Sequence, residues 1–263
     1  MLKTFFKKSL AAFGLEIRRR RIEYEIKTLE GVTFPVELKS EDRDIIQYVV
    51  DNSLSMVSPE KLWTTAMACR HVVESEIPGD FVECGVWRGG NSIIAAAIFR
   101  SLGSDRHIHL FDTFKGMTEP SFSDTSLRDG TDSKEVFMLG QQADHNEWCF
   151  ASIEEVRNNF DKLGLLSDRI HFIEGDVEQT LSLPTILPSR VAVLRLDTDW
   201  YESTAKELEV LYPRLSVGGV IIIDDYGDWA GAKKATDEYF SAVAAKPFLH
   251  VIDAGGRIGI KAR

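Results

Sequence analysis

A chain of 263 residues that is 44% hydrophobic, 10% aromatic and 27% charged has ordinary globular composition and enough length to bury one large core. Its three cysteines, Cys69, Cys84 and Cys149, are too few and too scattered for a disulfide scaffold. No CxxC or Cys/His cluster suggests zinc, so a reducing, cytoplasmic setting is expected. The formal net charge of −10 offers no basic footprint for nucleic acid.

That average hides a basic head on an acidic body. Residues 1–22 carry seven basic side chains against one acid, Glu16. The apolar stretch Leu10 to Leu15 is short, contains Gly14 and runs into four arginines, unlike a signal peptide, and nothing elsewhere reaches membrane-spanning length. On a helical wheel Leu2, Phe6, Leu10 and Phe13 share a face beside Lys3, Lys7 and Lys8. This is a pattern of interfacial helices, which suits peripheral contact with a membrane; an unstructured tail or a helix packing on a second copy in a homo-oligomer fits the same residues. Residues 1–39 are therefore read as a basic, amphipathic extension and 40–263 as the folded domain.

From Ser40 the pattern becomes globular. A helix is predicted over Glu41 to Asn52 and a second from the Ser58-Pro59 N-cap and first-turn signal, carrying Leu62, Ala66, Cys69, Val72 and Val73 at helical spacing until Pro78-Gly79 stops it. Strands follow at Phe81 to Val86, His107 to Asp112, Ile170 to Glu174, Val191 to Leu196, Val217 to Ile223 and Leu249 to Ile252, with a last one at Ile258 to Lys261. Helices are expected between them at Asn91 to Ser101, Ile153 to Leu163, Ser203 to Leu215 and Ala232 to Ala244. Alternation with apolar runs such as Val220 to Ile223 predicts an α/β fold: a mostly parallel, seven-stranded, Rossmann-like sheet with helices on both faces. In such sheets ligands sit at the carboxyl ends of the strands. The polar interval from Phe114 to Glu147 breaks the rhythm, and an insertion of that length is expected to be a substrate loop or lid, or else disordered.

Chemistry-bearing residues gather at those strand ends. Glu83-Cys-Gly-Val-Trp-Arg-Gly-Gly90 lies between a strand and a helix, where glycines let the backbone approach a ligand and the helix N-terminus favours an anionic group. It is neither a P-loop nor a GxGxxG turn. Asp112, one βα unit later, is placed to accept hydrogen bonds from ribose hydroxyls, and Asp176 ends the third strand within reach of an adenine amino group; either acid would serve equally as a cap. Asp197 and Asp199 end the next strand and Asp224 and Asp225 the one after. Four unpaired carboxylates would repel, whereas a hard divalent cation would neutralise them through oxygen ligands, and magnesium suits.

The segments Pro78 to Gly90, Phe111-Asp-Thr-Phe-Lys-Gly116, Asp197-Thr-Asp-Trp-Tyr201 and Gly218 to Gly227 together resemble the macrocin O-methyltransferase (TylF, MycF and NovP type) family, over about Ser58 to Tyr239. The resemblance implies a class I S-adenosylmethionine-dependent methyltransferase that needs magnesium and methylates sugar hydroxyls of natural-product glycosides. By that likeness Asp197, Asp224 and Asp225 match metal ligands and Asp199 the general base. Glu83, Cys84, Gly85, Val86 and Trp87, then Asp112, Thr113, Phe114, Lys115 and Gly116, then Asp176, Val177 and Met56 match cofactor contacts.

A sugar hydroxyl is a poor nucleophile near neutrality, so its proton must be removed as it attacks the sulfonium methyl. Two neighbouring acceptor oxygens on the cation would orient it, which suits a small molecule or glycan with vicinal hydroxyls. His145, in the insertion, is the competing base because imidazole titrates near neutrality. His107, His109 and His171 read as packing or edge residues, and Trp148 as the start of a helix. Asp197-Thr-Asp199 is also the DxD of metal-dependent glycosyltransferases, a rival reading that leaves the glycine turn and Asp112 without a purpose. A scaffold that binds the cofactor without catalysis is a further alternative.

Overall fold

A computed structural model describes residues 28–263; the basic, amphipathic segment 1–22 lies outside the described residues. Helices α1 (Ser40–Asp51) and α2 (Pro59–Glu74) precede the sheet. Strands β1 (Asp80–Cys84), β2 (Ile108–Asp112), β3 (Ile170–Glu174), β4 (Val191–Leu196) and β5 (Leu215–Ile223) run parallel, in the spatial order β3-β2-β1-β4-β5. β7 (Arg257–Ile260) pairs antiparallel with β5, and the two-residue β6 (His250–Val251) closes that edge. The order reverses between β1 and β4, and that crevice is where an open α/β sheet binds its ligand.

Alternate residues along each strand feed two apolar layers. Phe81, Ile108, Leu110, Val193 and Ile222 pack against α1, α2, α3 (Gly90–Ser101) and α5 (Ile153–Asp161). Val82, Cys84, Phe111, Leu194 and Ile223 face α6 (Val177–Thr180), α7 (Tyr201–Leu211) and α8 (Ala230–Ala242). Burial on both faces explains why the central strands read as continuous apolar runs. The α2 signal holds: Ser58 Oγ accepts from the Lys61 amide and Pro59 occupies the first turn. Leu38 is buried and Phe34 meets Trp63 edge-on at 6.0 Å, so the described part of the extension packs on the body ahead of residue 40.

The interval 114–147 is more ordered than its composition suggested. It contains α4 (Ser133–Gly140), which sequence reading missed, capped by Asp132 on the Lys134 and Glu135 amides. Asp124 is buried and accepts from the Tyr201 amide at 2.7 Å and from Ser121, and so ties the interval to the first turn of α7. α7 thus begins two residues before the predicted Ser203. Trp148 does not begin a helix: Ser152 caps α5 at Ile153, and Trp148 instead meets Trp200 and Trp229. Among the described residues no helix is long and apolar enough to cross a membrane.

His107, just before β2, and His109 on β2 pack against His171 on the edge strand β3, in keeping with a packing or edge role. His107 Nδ1 and His171 Nε2 are 2.7 Å apart, and His109 stacks on His171 at 4.8 Å while pairing with Asp80. Burial, and then the two neighbouring imidazoles, push His171 below its ordinary value of 6.5. A base whose folded pKa is depressed keeps its full contribution above the unfolded value and loses it as pH falls through that value. The melting temperature is therefore expected to drop more steeply between pH 7.5 and 5.5 in the native protein than in His171→Gln, as differential scanning calorimetry at stepped pH will measure.

Candidate active site

The glycine turn after β1 is shaped by what stands behind it. A Cβ at Gly85, where φ is +79°, would lie 1.8 Å from the Asp197 carbonyl oxygen, so only glycine lets β1 and β4 close up here. Asp112, at the end of β2, reaches back: its carboxylate accepts from the Val86 amide at 2.6 Å, the Trp87 amide at 3.1 Å and the Phe114 amide at 2.7 Å. Asp112, expected as a ribose acceptor, also clamps the turn. Burial raises its pKa and the three amides oppose the rise. Asp176 caps α6 through the Glu178 amide and also lines the central cavity.

That cavity, of about 290 Å³, opens at the strand ends. Of the predicted cofactor contacts, it is lined by Met56, Glu83, Gly85, Val86, Trp87, Asp112, Thr113, Gly116, Asp176 and Val177. Cys84 and Phe114 are outside its lining and have buried side chains that belong to the two apolar layers, and Lys115 pairs with Glu174 at the surface. Strand alternation explains Cys84: it follows Glu83 and must face the other way. Asp197, Asp199, Asp224 and Asp225 line the same cavity. His145 does not; it pairs with Asp144 and lies against Phe150.

Carboxylate oxygens of Asp197, Asp224 and Asp225 lie within 4.8 Å of one another. Two cations that sequence reading did not single out sit among them. Arg195, fully buried on β4, donates through Nη1 to Glu83 at 2.8 Å and Asp197 at 2.6 Å, and through Nη2 to Asp224. Lys61, buried on α2, donates to Asp224 Oδ2 at 2.5 Å and to the Asp224 carbonyl at 3.1 Å. Both left a trace: an arginine inside the apolar run Val191 to Leu196, and a lysine one helical turn before Thr65 on the stripe that continues to Cys69 and Val72. A charge on a buried stripe needs a partner.

Two cations do not neutralise the acids. Burial disfavours ionised Asp224, but Lys61 and Arg195 outweigh it and hold this carboxyl below its usual range. Burial, then Asp199, Asp197 and Asp224, push Asp225 well above the usual range. Asp197 is also raised, by burial against the pull of Arg195. Burial pushes Asp199 up to about 6 and Glu83 up to about 7. Asp199 sits at φ +67° and donates its amide to Asp225 Oδ2 at 3.2 Å, a left-handed conformation that aspartate tolerates better than most residues. Oxygen donors at this spacing, short of positive charge, fit one hard divalent cation, with Asp197, Asp224 and Asp225 as the residues to hold it.

A second hollow, of about 350 Å³, shares Asp225 and Asp228 with the first and is walled by Trp148, Trp229, Arg128, Asp129 and Thr131. Trp200 completes an aromatic cluster, edge-on to Trp148 at 5.4 Å and to Trp229 at 5.0 Å. Lys233 and Lys234 pair with Asp237 and Glu238 one turn along α8, as solvent-facing charges would.

The sequence profile of the macrocin-O-methyltransferase (TylF) family matches residues 18–258. The chain is 41% identical over 203 residues to 8-demethyl-8-(2,3-dimethoxy-alpha-L-rhamnosyl)-tetracenomycin-C 4'-O-methyltransferase of Streptomyces olivaceus, covering 77% of this chain and 73% of that one. It is 35% identical over 225 residues to demethyldecarbamoylnovobiocin O-methyltransferase of Streptomyces niveus, covering 85% and 80%. The solved structure of the O-methyltransferase NovP superposes with a TM-score of 0.69 at 35% identity, covering 80% of this chain and 82% of that one. The sheet order, the glycine turn and the acids at the ends of β4 and β5 thus belong to a member of the macrocin-O-methyltransferase family, an S-adenosylmethionine-dependent O-methyltransferase of class I fold.

Proposed function

We propose that this enzyme methylates a hydroxyl of a sugar unit in a glycoside, with magnesium held by Asp197, Asp224 and Asp225 and with Asp199 as the base. The observation that carries this reading is the joining of the cofactor turn and the carboxylate cluster in one cavity that borders a second, aromatic-walled hollow. Aromatic faces with a few convergent polar groups suit a sugar ring, and the tetracenomycin relative is named for a rhamnosyl substrate. The interval 114–147 supplies Met117 and Thr118 to the first cavity and Arg128, Asp129 and Thr131 to the second, which supports its reading as the substrate loop. A cytoplasmic location accompanies the proposal.

Bound S-adenosylmethionine would supply its sulfonium methyl to the acceptor oxygen and leave as the neutral thioether, which keeps the electron pair of the broken sulfur–carbon bond. The hydroxyl proton passes to an Asp199 carboxylate oxygen. A free carboxylate is a weak base, and burial, by lifting Asp199 to about 6, brings it nearer the task. Arg195 and Lys61 hold the acids in place, and Asp112 clamps the glycine turn that would hold the cofactor. A bound magnesium ion would supply Lewis acidity to the acceptor oxygens.

Isothermal titration with S-adenosylmethionine, with and without magnesium, on the native protein and Asp197→Asn, tests this reading. Cofactor binding by both proteins is expected, with magnesium heat lost in the variant. Magnesium heat that survives in Asp197→Asn would overturn the cation assignment, and a screen of glycosides against their aglycones tests the acceptor class.

A further inference from the structure

Lys61 is the one cationic side chain among the described residues lining the central cavity, where it stands with Asp197, Asp199, Asp224, Asp225 and Asp228. Its position is built. Ser58 caps its helix and donates through Oγ to Asp253 at 2.6 Å, which ties the start of α2 to the turn between β6 and β7. At Gly256, on that turn, a Cβ would stand 3.1 Å from Lys61 Cε, so the lysine stem packs close against the glycine. The ammonium arrives with 6% of the side chain exposed.

The two carboxylate oxygens of Asp224 are differently engaged. Oδ1 receives Arg195, whose guanidinium is locked between Glu83, Asp197 and Asp224 with no exposure. Oδ2 receives Lys61. A divalent cation shared by Asp197, Asp224 and Asp225 needs an oxygen of Asp224, and the arginine fork cannot withdraw without stranding three acids. The lysine can: its stem is flexible, and Asp228 Oδ2 already lies 3.7 Å from Nζ. Asp228 is also the carboxylate that Arg128 of the insertion grips at 2.7 Å.

We infer that Lys61 is a tethered counter-cation of the active site: its ammonium occupies Asp224 Oδ2 in the unloaded enzyme, yields to the divalent cation, and passes to Asp228. The inference rests on the proposed cation site. It makes Lys61 a positioning residue that sets how tightly the cation binds and keeps the acids together without one. Because Asp228 then answers to both Lys61 and Arg128, cation loading reaches the insertion through a single carboxylate.

The test is calorimetric titration of manganese and of magnesium into the full chain, as the native protein, Lys61→Met and Lys61→Arg, with melting temperatures in chelator and in cation. Lys61→Met is expected to bind the cation at least tenfold more tightly, to melt lower in chelator and to gain more from added cation; Lys61→Arg, which keeps the charge, stays near the native affinity. Equal or weaker binding by Lys61→Met overturns the inference while the cation site stands. Binding by Lys61→Met alone overturns the inference, because the lysine then does not yield in the native protein, and removes the cation from the native mechanism; binding by neither protein overturns both. A measurement on the native protein needs no variant: amine labelling of Lys61, read by mass spectrometry, is expected to rise on addition of manganese as Nζ leaves Asp224 for the more exposed Asp228. Unchanged labelling overturns the inference.

Discussion

Asp199→Asn is expected to lower kcat by roughly 10²–10⁴-fold, the range that a positioned general base contributes, with S-adenosylmethionine affinity nearly unchanged. The substitution keeps shape and the backbone hydrogen bond to Asp225 but removes the site that takes the proton. Of the four acids at the ends of β4 and β5, Asp199 has neither Arg195 nor Lys61 as a salt-bridge partner among the described residues and does not belong to the close trio of Asp197, Asp224 and Asp225. Single-turnover kinetics with a competent glycoside, paired with cofactor titration, separate lost chemistry from lost binding. Loss of cofactor affinity in proportion to kcat would make Asp199 part of the cofactor site instead. The same experiment on His145→Gln, a residue outside the cavity lining, is expected to change kcat little.

The largest expected effect on stability is that of Arg195→Leu. The guanidinium is fully buried and holds Glu83, Asp197 and Asp224 at once. Removing one member of a buried ionic network leaves uncompensated charge and destabilises by about 3–5 kcal/mol, a fall in melting temperature on the order of 10 °C for a domain of this size. Arg195→Lys is expected to recover part of this, since one ammonium cannot reproduce the planar fork. The pH dependence carries a definite sign. Acids stranded by the variant have folded pKa values raised above their unfolded ones, so their stability is present at low pH and lost as pH rises. Chemical denaturation at pH 5.5 and 7.5 should therefore show a smaller gap between native and variant protein at the lower pH. A loss below 1 kcal/mol at both would show that the acids are neutral in the native fold.

Gly85 and the acids illustrate how far local pattern reaches. An apolar run that ends in Asp-Thr-Asp or Asp-Asp marks a strand whose carboxyl end meets solvent or ligand, and the structure brings Asp197, Asp199, Asp224 and Asp225 to one cavity. The glycine turn was legible because a strand, a glycine and a helix start follow one another within ten residues of chain. Helix α4 was not legible: its eight residues sit in a polar interval and depend on the Asp132 cap and on anchors such as Ser133 Oγ to the Asp124 carbonyl. Trp148 misled for a related reason, because its partners Trp200 and Trp229 are remote in the chain.

What the sequence by itself determined is the alternation of strands and helices, the side of the sheet on which chemistry occurs, and the family of motifs at the strand ends. Each follows from periodicity and turn chemistry over a few residues. Only the tertiary structure decided that β7 runs antiparallel beside β5, that Asp112 clamps the turn, that Cys84 and Phe114 face apolar layers, and that two cations enter the acid cluster. Lys61 and Asp224 are 163 residues apart, and Arg195 and Glu83 are 112 apart. Charge compensation in a buried site is set by which distant elements the sheet order brings together, and no local pattern carries that information.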